Sequence, residues 1–286
     1  MKNIIKLVGL LMLIGFSFFY TDKVIEVIRE EDEIMIKIKS SVPDYKVNPV
    51  DATIVKNTII PGLQGREVNI ESSYKKMKEQ GVFNPDLFVY EEIDPDNRLE
   101  NHQDKYIILG NSNKNMVSLL FILDNNRYLE QLDKILTSKE TTASFFIDYS
   151  YLINNSTRIK EKTNYEFYSY GKEGKYAPDT LLFSNNLISR ITKHNAAYCL
   201  STNFDKEVLE LCNKNNLYTI NPNIIATTTP YKVVKNNLTS GSMILLKNTQ
   251  EVIAELPLII DYIKGKGYQL TSLSQLLSEN IDKLQN

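Results

Sequence analysis

Three carboxylates are placed where chemistry could occur. Asp124, Asp148 and Glu166 each fall at or just past the end of a stretch that reads as a strand. Two carboxyl groups facing one another can act on a glycosidic bond, one as acid and the other as base or nucleophile. The plainer alternative is that three acids at such positions mean little in a chain with 35 Asp and Glu. A second group is aromatic: Tyr149, Tyr151, Tyr165, Phe167, Tyr168, Tyr170 and Tyr176 crowd one short region. Aromatic faces stack on sugar rings while tyrosine hydroxyls reach polar groups. The same residues could equally be half-buried tyrosines that pack long loops. Lys247, at another strand end, would bind a carboxylate or simply project from the strand. The chain has two histidines, His102 and His194, too far apart for a His-x-x-x-His pair, and each reads as a surface residue. A serine triad therefore lacks a base. There is no glycine-rich phosphate loop.

From about Asn115 onward the elements that would position these groups follow a regular pattern. Apolar runs at 117–123, 143–147, 196–200, 217–220 and 242–246 alternate with amphipathic stretches at 127–138, 180–193, 205–215 and 251–265. A short strand, Tyr268 to Leu270, and a helix from Ser272 close the chain. VSLLFILDNNRYLEQLDKIL, Val117 to Leu136, shows the unit. Its apolar run meets a polar turn, then Tyr128, Leu129, Leu132, Ile135 and Leu136 recur at helical spacing. Repeated βα units imply an α/β fold with a parallel sheet, open or closed into a barrel. Roughly 170 residues fall short of the ~250 typical of a full eightfold barrel, so an incomplete or distorted (β/α) barrel is expected over 114–286.

Residues 22–113 read as a smaller α+β region. EIMIKI, Glu33 to Ile38, alternates like an exposed strand. NIESSYKKMKEQG reads as a helix capped by Asn69 or Ser72 and stopped by Gly81. Asp94 to Tyr106 is polar and reads as a surface connection. The first 21 residues differ again. Lys2 and Lys6 precede LVGLLMLIGFSFFY, and the run from Ile4 to Tyr20 is about long enough to cross a bilayer core. Positive charge at the amino end implies that this end stays in the cytoplasm and the bulk is exported. Phe18-Phe19-Tyr20 lacks the small residues of a signal cleavage site. A single-pass anchor at 1–21 is therefore favoured over a signal peptide or a buried helix.

A net charge of −2 gives no nucleic-acid surface. Cys199 and Cys212 fall on an expected strand and the helix after it. They could pair in an exported protein, but two small buried apolar side chains are the favoured reading.

GSMILLKNTQEVIAELPLIIDYIKGKGYQLTSLSQLL, Gly241 to Leu277, resembles the end of the polysaccharide deacetylase family (the NodB-homology domain). There a Gly-Ser-apolar strand ends in Leu-His, followed by a Leu-Pro-x-Ile-Ile helix, Lys-Gly-Tyr and Leu-Ser-x-Leu-Leu. The Val117 stretch and TTASFFIDYSYL look like the family's first two strands. The resemblance implies a distorted barrel that removes acetyl groups from N-acetylated sugars of chitin, peptidoglycan and related polymers. It also implies a divalent metal held by one aspartate and two histidines, a second aspartate as base and a late histidine as acid. The family's Thr-Phe-Asp-Asp-Gly falls on Leu120 to Asp124. Ile122 and Leu123 stand at the base and metal-binding positions, and Asp124 one place beyond. A one-residue slip turns a side chain to the other face of a strand. Tyr170 stands where the first histidine of the second motif would be, and Lys247 where the late histidine would be.

The family's metal site cannot be assembled from these residues, so no metal or other cofactor is expected. The expectation is a membrane-anchored, extracytoplasmic and catalytically inactive relative at the cell envelope. It would bind cell-wall or other N-acetylated glycan, or an envelope protein, with Tyr149, Tyr168, Tyr170 and Lys247 as ligand contacts. The alternative is an active hydrolase of N-acetylated polysaccharide with a non-standard site around Asp124. A third reading is a structural protein in which residues 22–113 hold the partner.

Overall fold

The structure is a computed structural model that describes Met12 and residues 27–281, apart from Asn126 and Thr163. The anchor expected at 1–21 lies, but for Met12, outside the described residues. Among those described, no helix is long and apolar enough to cross a membrane.

The first elements are α1 (Glu33–Tyr45), β1 (Thr53–Val55), β2 (Thr58–Ile60), β3 (Gly65–Val68), α2 (Ile70–Gln80), β4 (Tyr90–Ile93) and β5 (Tyr106–Ile107). The middle carries β6 (Met116–Leu123), α3 (Leu129–Ser138), β7 (Ser144–Ile147), α4 (Tyr149–Lys160), β8 (Glu166–Ser169), α5 (Pro178–Thr192) and β9 (Tyr198–Leu200). Next come α6 (Lys206–Lys214), β10 (Tyr218–Ile220), β11 (Ile224–Ile225) and α7 (Pro230–Asn237). The chain closes with β12 (Met243–Lys247), α8 (Gln250–Gly265), β13 (Gln269–Leu270) and α9 (Leu273–Leu277). Contacts divide these into two units, residues 1–49 with 65–94, and residues 50–64 with 95–286.

In the first unit EIMIKI opens a helix and is not an exposed strand. Asp32 caps α1 by accepting from the Ile34 N–H at 3.0 Å. Met35 and Ile38, three residues apart, are both fully buried. Six residues are too few to separate a period of two from one of 3.6, and the cap decides for the helix. Helix α2 matches its sequence signals. Asn69 Oδ1 accepts from Ser72 N–H at 2.9 Å, and Gly81 ends the helix at φ 70°, where a side chain would be strained. Ile38, Val68, Met77 and Phe88 form this unit's small core.

The second unit carries two largely parallel sheets, β1-β2-β5-β10-β9 and β11-β12-β6-β7-β8, with β13 also pairing β6. The sequence reading starts this domain at residue 114, but the contacts gather 50–64 and 95–113 into it as well. Strand β5 pairs in parallel with both β2 and β10. Glu279 adds a tie, accepting from the Gly62 and Leu99 N–H groups at 2.7 and 3.0 Å. All eight residues of β6 are buried, which explains its unbroken apolar run.

Register sorts the side chains into two layers. Ile122, Phe146 and Tyr168 are partners across β6, β7 and β8, and Lys247 partners Ile122 from β12. On the opposite face Phe121, Phe145 and Phe167 stack with centroids 5.6 and 5.5 Å apart. Leu123 belongs with that second layer, sharing a small cavity with Leu129, Phe145, Ile159 and Phe167.

Cys199 on β9 and Cys212 on α6 form a disulfide with Cα atoms 6.5 Å apart. This corrects the favoured sequence reading of two unpaired thiols. A strand and the helix that follows it pack face to face, so cysteines on their inner sides come within bridging distance.

Candidate functional site

In α/β folds the carboxyl ends of parallel strands are where ligands bind. Here the ladder runs one residue past β7 and β8. Asp148 N–H donates to the Leu123 carbonyl at 3.0 Å, and Tyr170 N–H to that of Ile147 at 2.8 Å. Alternation then sets Asp124, Asp148 and Tyr170 on the face of Ile122, Phe146 and Tyr168, as a row across three strand ends. The Tyr170 phenol feels this row. Burial raises its pKa first, and the charges of Asp124 and Asp148 raise it further.

The members of the row differ in freedom. Asp148 is buried, and its carboxylate accepts from Ser150 N–H at 2.8 Å, Tyr151 N–H at 3.3 Å and Glu173 N–H at 2.6 Å. It caps α4 and ties down the turn after β8, so it is a structural tether. An aspartate just before Tyr-Ser-Tyr-Leu is the sequence signal for that cap. Asp124 is exposed, with Asn125 Nδ2 donating to its Oδ1. Lys247 is exposed, and Tyr170 is half-buried. Tyr149 is half-buried too, its ring edge-on to Phe183 at 5.9 Å.

Glu166 does not join Asp124 and Asp148. It begins β8, roughly 13 Å along the strand from Tyr170. There it accepts from Ser274 N–H at 3.0 Å and Ser144 Oγ at 3.1 Å. Burial alone would raise its pKa, but the hydrogen bonds from Ser274, Ser272 and Tyr168 outweigh that and hold it below the usual carboxylate range.

Tyr168 is corrected as a ligand contact: it is fully buried. Its hydroxyl donates to Glu166 Oε2 at 2.7 Å and lies 3.1 Å from His194 Nε2. The one hydroxyl proton goes to Glu166, so His194 Nε2 carries the hydrogen of the second bond. Burial, reinforced by the Glu166 charge, pushes the Tyr168 phenol far up. His194, read as a surface residue, is half-buried against this pair. Tyr151, Tyr165 and Phe167 are core residues as well. Of the tyrosine-rich stretch, Tyr149 and Tyr151 start α4, Phe167 and Tyr168 lie in β8, and Tyr170 and Tyr176 fall in the loop after it.

The residues present do not fit the metal that the resemblance implies. Ile122 and Leu123, 5% and 1% exposed, offer hydrocarbon where two aspartates would stand, and Lys247 brings a cation beside them. Among the described residues, no group of three or more His, Cys, Asp or Glu is arranged to hold a metal ion.

Sequence reasoning missed a groove of about 660 Å³ between the β6–α3 and β12–α8 turns. Asn125, Arg127, Tyr128, Asn248, Thr249 and Gln250 line it. Asn248 Nδ2 donates to the Asn125 carbonyl at 3.2 Å, joining the two turns. The only signal in the sequence was that both turns are polar.

No protein-family model matches the chain. It is 28% identical over 282 residues to the uncharacterized protein YlxY of Bacillus subtilis, covering 89% of this chain and 86% of that one. Wild-type BA3943 of Bacillus anthracis, a CE4 family pseudoenzyme, superposes with a TM-score of 0.67. The identity is 23%, covering 87% of this chain and 96% of that one. A BA3943 mutant with restored enzymatic activity gives 0.68 at 24% identity, covering 87% and 99%. The Bc1960 peptidoglycan N-acetylglucosamine deacetylase gives 0.55 at 17% identity, covering 61% and 94%. The chain has the fold of the CE4 polysaccharide deacetylases, with hydrocarbon at the two positions where its resemblance to them calls for aspartates.

Proposed function

We propose that this chain is an exported, membrane-anchored protein of the cell envelope that binds N-acetylated glycan at the carboxyl ends of β6, β7, β8 and β12 without cleaving it. The observation that carries the reading is the buried hydrocarbon of Ile122 and Leu123 at the end of β6, where the family resemblance puts two aspartates, within a fold otherwise kept. A site that has lost its acids but keeps a polar edge of exposed Asp124 and Lys247 with half-buried Tyr170 is suited to holding a ligand. Similarity to the BA3943 pseudoenzyme supports the loss of catalysis, and similarity to a peptidoglycan deacetylase supports the ligand class. The disulfide agrees with an oxidising compartment outside the cytoplasm. The run from Ile4 to Tyr20, with Lys2 before it and Lys6 near its start, supports the anchor.

The test pairs acetate release with retention on purified peptidoglycan. The expected result is no release with zinc, cobalt or manganese, together with retention that falls in Tyr170→Ala and Lys247→Ala. Metal-dependent release that is lost in Asp124→Ala would overturn the reading in favour of an active hydrolase built on that exposed carboxylate.

A further inference from the structure

We infer that the groove between the β6–α3 and β12–α8 turns is a subsite for a carboxylate carried on an N-acylated glycan, and that it separates acidic from neutral sugar chains. The inference rests on the glycan-binding reading above and adds the ligand's charge. Three independent features converge on the groove.

The first is an uncommitted cation. Arg127 is exposed and has no ion pair among the described residues, with its guanidinium 6.0 Å from the Tyr128 ring centroid. The second is the amino end of α3, a ten-residue helix whose N-cap, Tyr128, makes no side-chain capping bond. The amino end of a helix favours an anion. The third is Asn248, 7% exposed, whose Oδ1 is buried with no donor while its Nδ2 is engaged by Asn125. A buried amide oxygen without a donor calls for an N–H or O–H from outside the chain.

An anion would satisfy Arg127 and the helix end but not Asn248. A neutral donor would satisfy Asn248 and leave the cation unused. A carboxylate with an acylamido N–H or a hydroxyl beside it satisfies all three. Nearby acids do not compete for Arg127. Glu130 pairs with Arg158, Glu251 accepts from Thr229 N–H, and Asp124 accepts from Asn125. Lys247, immediately before Asn248, adds a second exposed cation at the same sheet end.

Calorimetry with the full-length chain tests this. The ligands are neutral N-acetylglucosamine oligomers, peptidoglycan strands stripped of peptide, the same strands with carboxylates amidated, and strands that keep their peptides. Carboxylated ligands should bind about tenfold tighter than amidated ones, the scale of one charge-assisted contact. Arg127→Gln should erase that preference and leave neutral oligomers unaffected. Preference for the stripped strands assigns the carboxylate to the sugar, and preference only for peptide-bearing strands assigns it to the peptide. Equal binding of carboxylated and amidated strands, with Tyr170→Ala still weakening both, would overturn the subsite and leave the glycan reading standing. No binding of any glycan by the folded protein would remove both.

Discussion

Lys247 on β12 stands directly abreast of Ile122 on β6, so an ammonium flanks hydrocarbon at the end of the sheet. Leu123, one residue further, turns into the layer of Leu129, Phe145 and Phe167. An acid at 122 would meet a counter-ion and the open edge, whereas an acid at 123 would meet only core. Leu123→Asp should cost roughly 3–5 kcal/mol and Ile122→Asp clearly less, because a buried charge is tolerated only when paired. Urea denaturation of both variants, and of Ile122→Asp combined with Lys247→Met, gives the comparison. Equal losses at 122 and 123 would contradict the assigned faces.

The two neighbouring tyrosines of β8 and its end should behave oppositely. Tyr168→Ala removes a fully buried ring and should cost about 3–5 kcal/mol, and Tyr168→Phe about 1–2 kcal/mol through the lost bond to Glu166. Neither should alter glycan retention per folded molecule. Tyr170→Ala, at a half-buried ring, should reduce retention and cost less stability than Tyr168→Ala. Thermal melts run beside peptidoglycan pull-downs would show it, and a retention loss in Tyr168→Phe would put the buried ring back into the binding site.

Acid should unmask Glu166. Its folded-state pKa lies below its unfolded value, so its stabilising effect is fully present above the unfolded value of about 4.3 and is lost as pH falls through the folded one. The stability difference between wild type and Glu166→Gln should thus be constant near neutrality and shrink below about pH 4. A difference that stays flat down to pH 3 would mean that the carboxylate is not depressed.

Joint replacement of Cys199 and Cys212 by alanine should cost about 3 kcal/mol, as expected for a cross-link spanning 13 residues. The melting temperature of the wild type should fall on reduction, and that of the variant should not respond to reductant. A variant as stable as the oxidised wild type would show that the bridge is not formed.

The βα rhythm was legible because β6, β7, β10 and β12 are short apolar runs bounded by polar turns, and α2 because it carries both of its caps. Strand β8 was not. Phe167 and Tyr168 read as amphipathic loop residues, and only the ladder to Phe145 and Phe146 shows that they are core. EIMIKI misled because a buried helical pair three apart, Met35 and Ile38, sits inside an alternating hexamer. At the site, Ile122, Leu123 and Lys247 could be placed from the resemblance, since a strand fixes its register. The tether role of Asp148, the distance of Glu166 from the open edge and the groove at Arg127 and Asn248 depend on contacts far apart in sequence.

Strands β3 and β4 run antiparallel with Gly65 abreast of Ile93, so the stretch 65–94 departs from and comes back to neighbouring points on the chain. It behaves as a graft. Cutting it out joins two ends that are already close, whereas a truncation at residue 114 strips β1, β2 and β5 and leaves β10 with a raw edge of unpaired backbone groups. Evolution could therefore exchange or discard the stretch between Gln64 and Pro95 without rebuilding the sheets around it. A shortened protein designed to isolate those sheets should start near Val50, because α1 shares its core with the excised stretch, and be spliced there and not begun at 114.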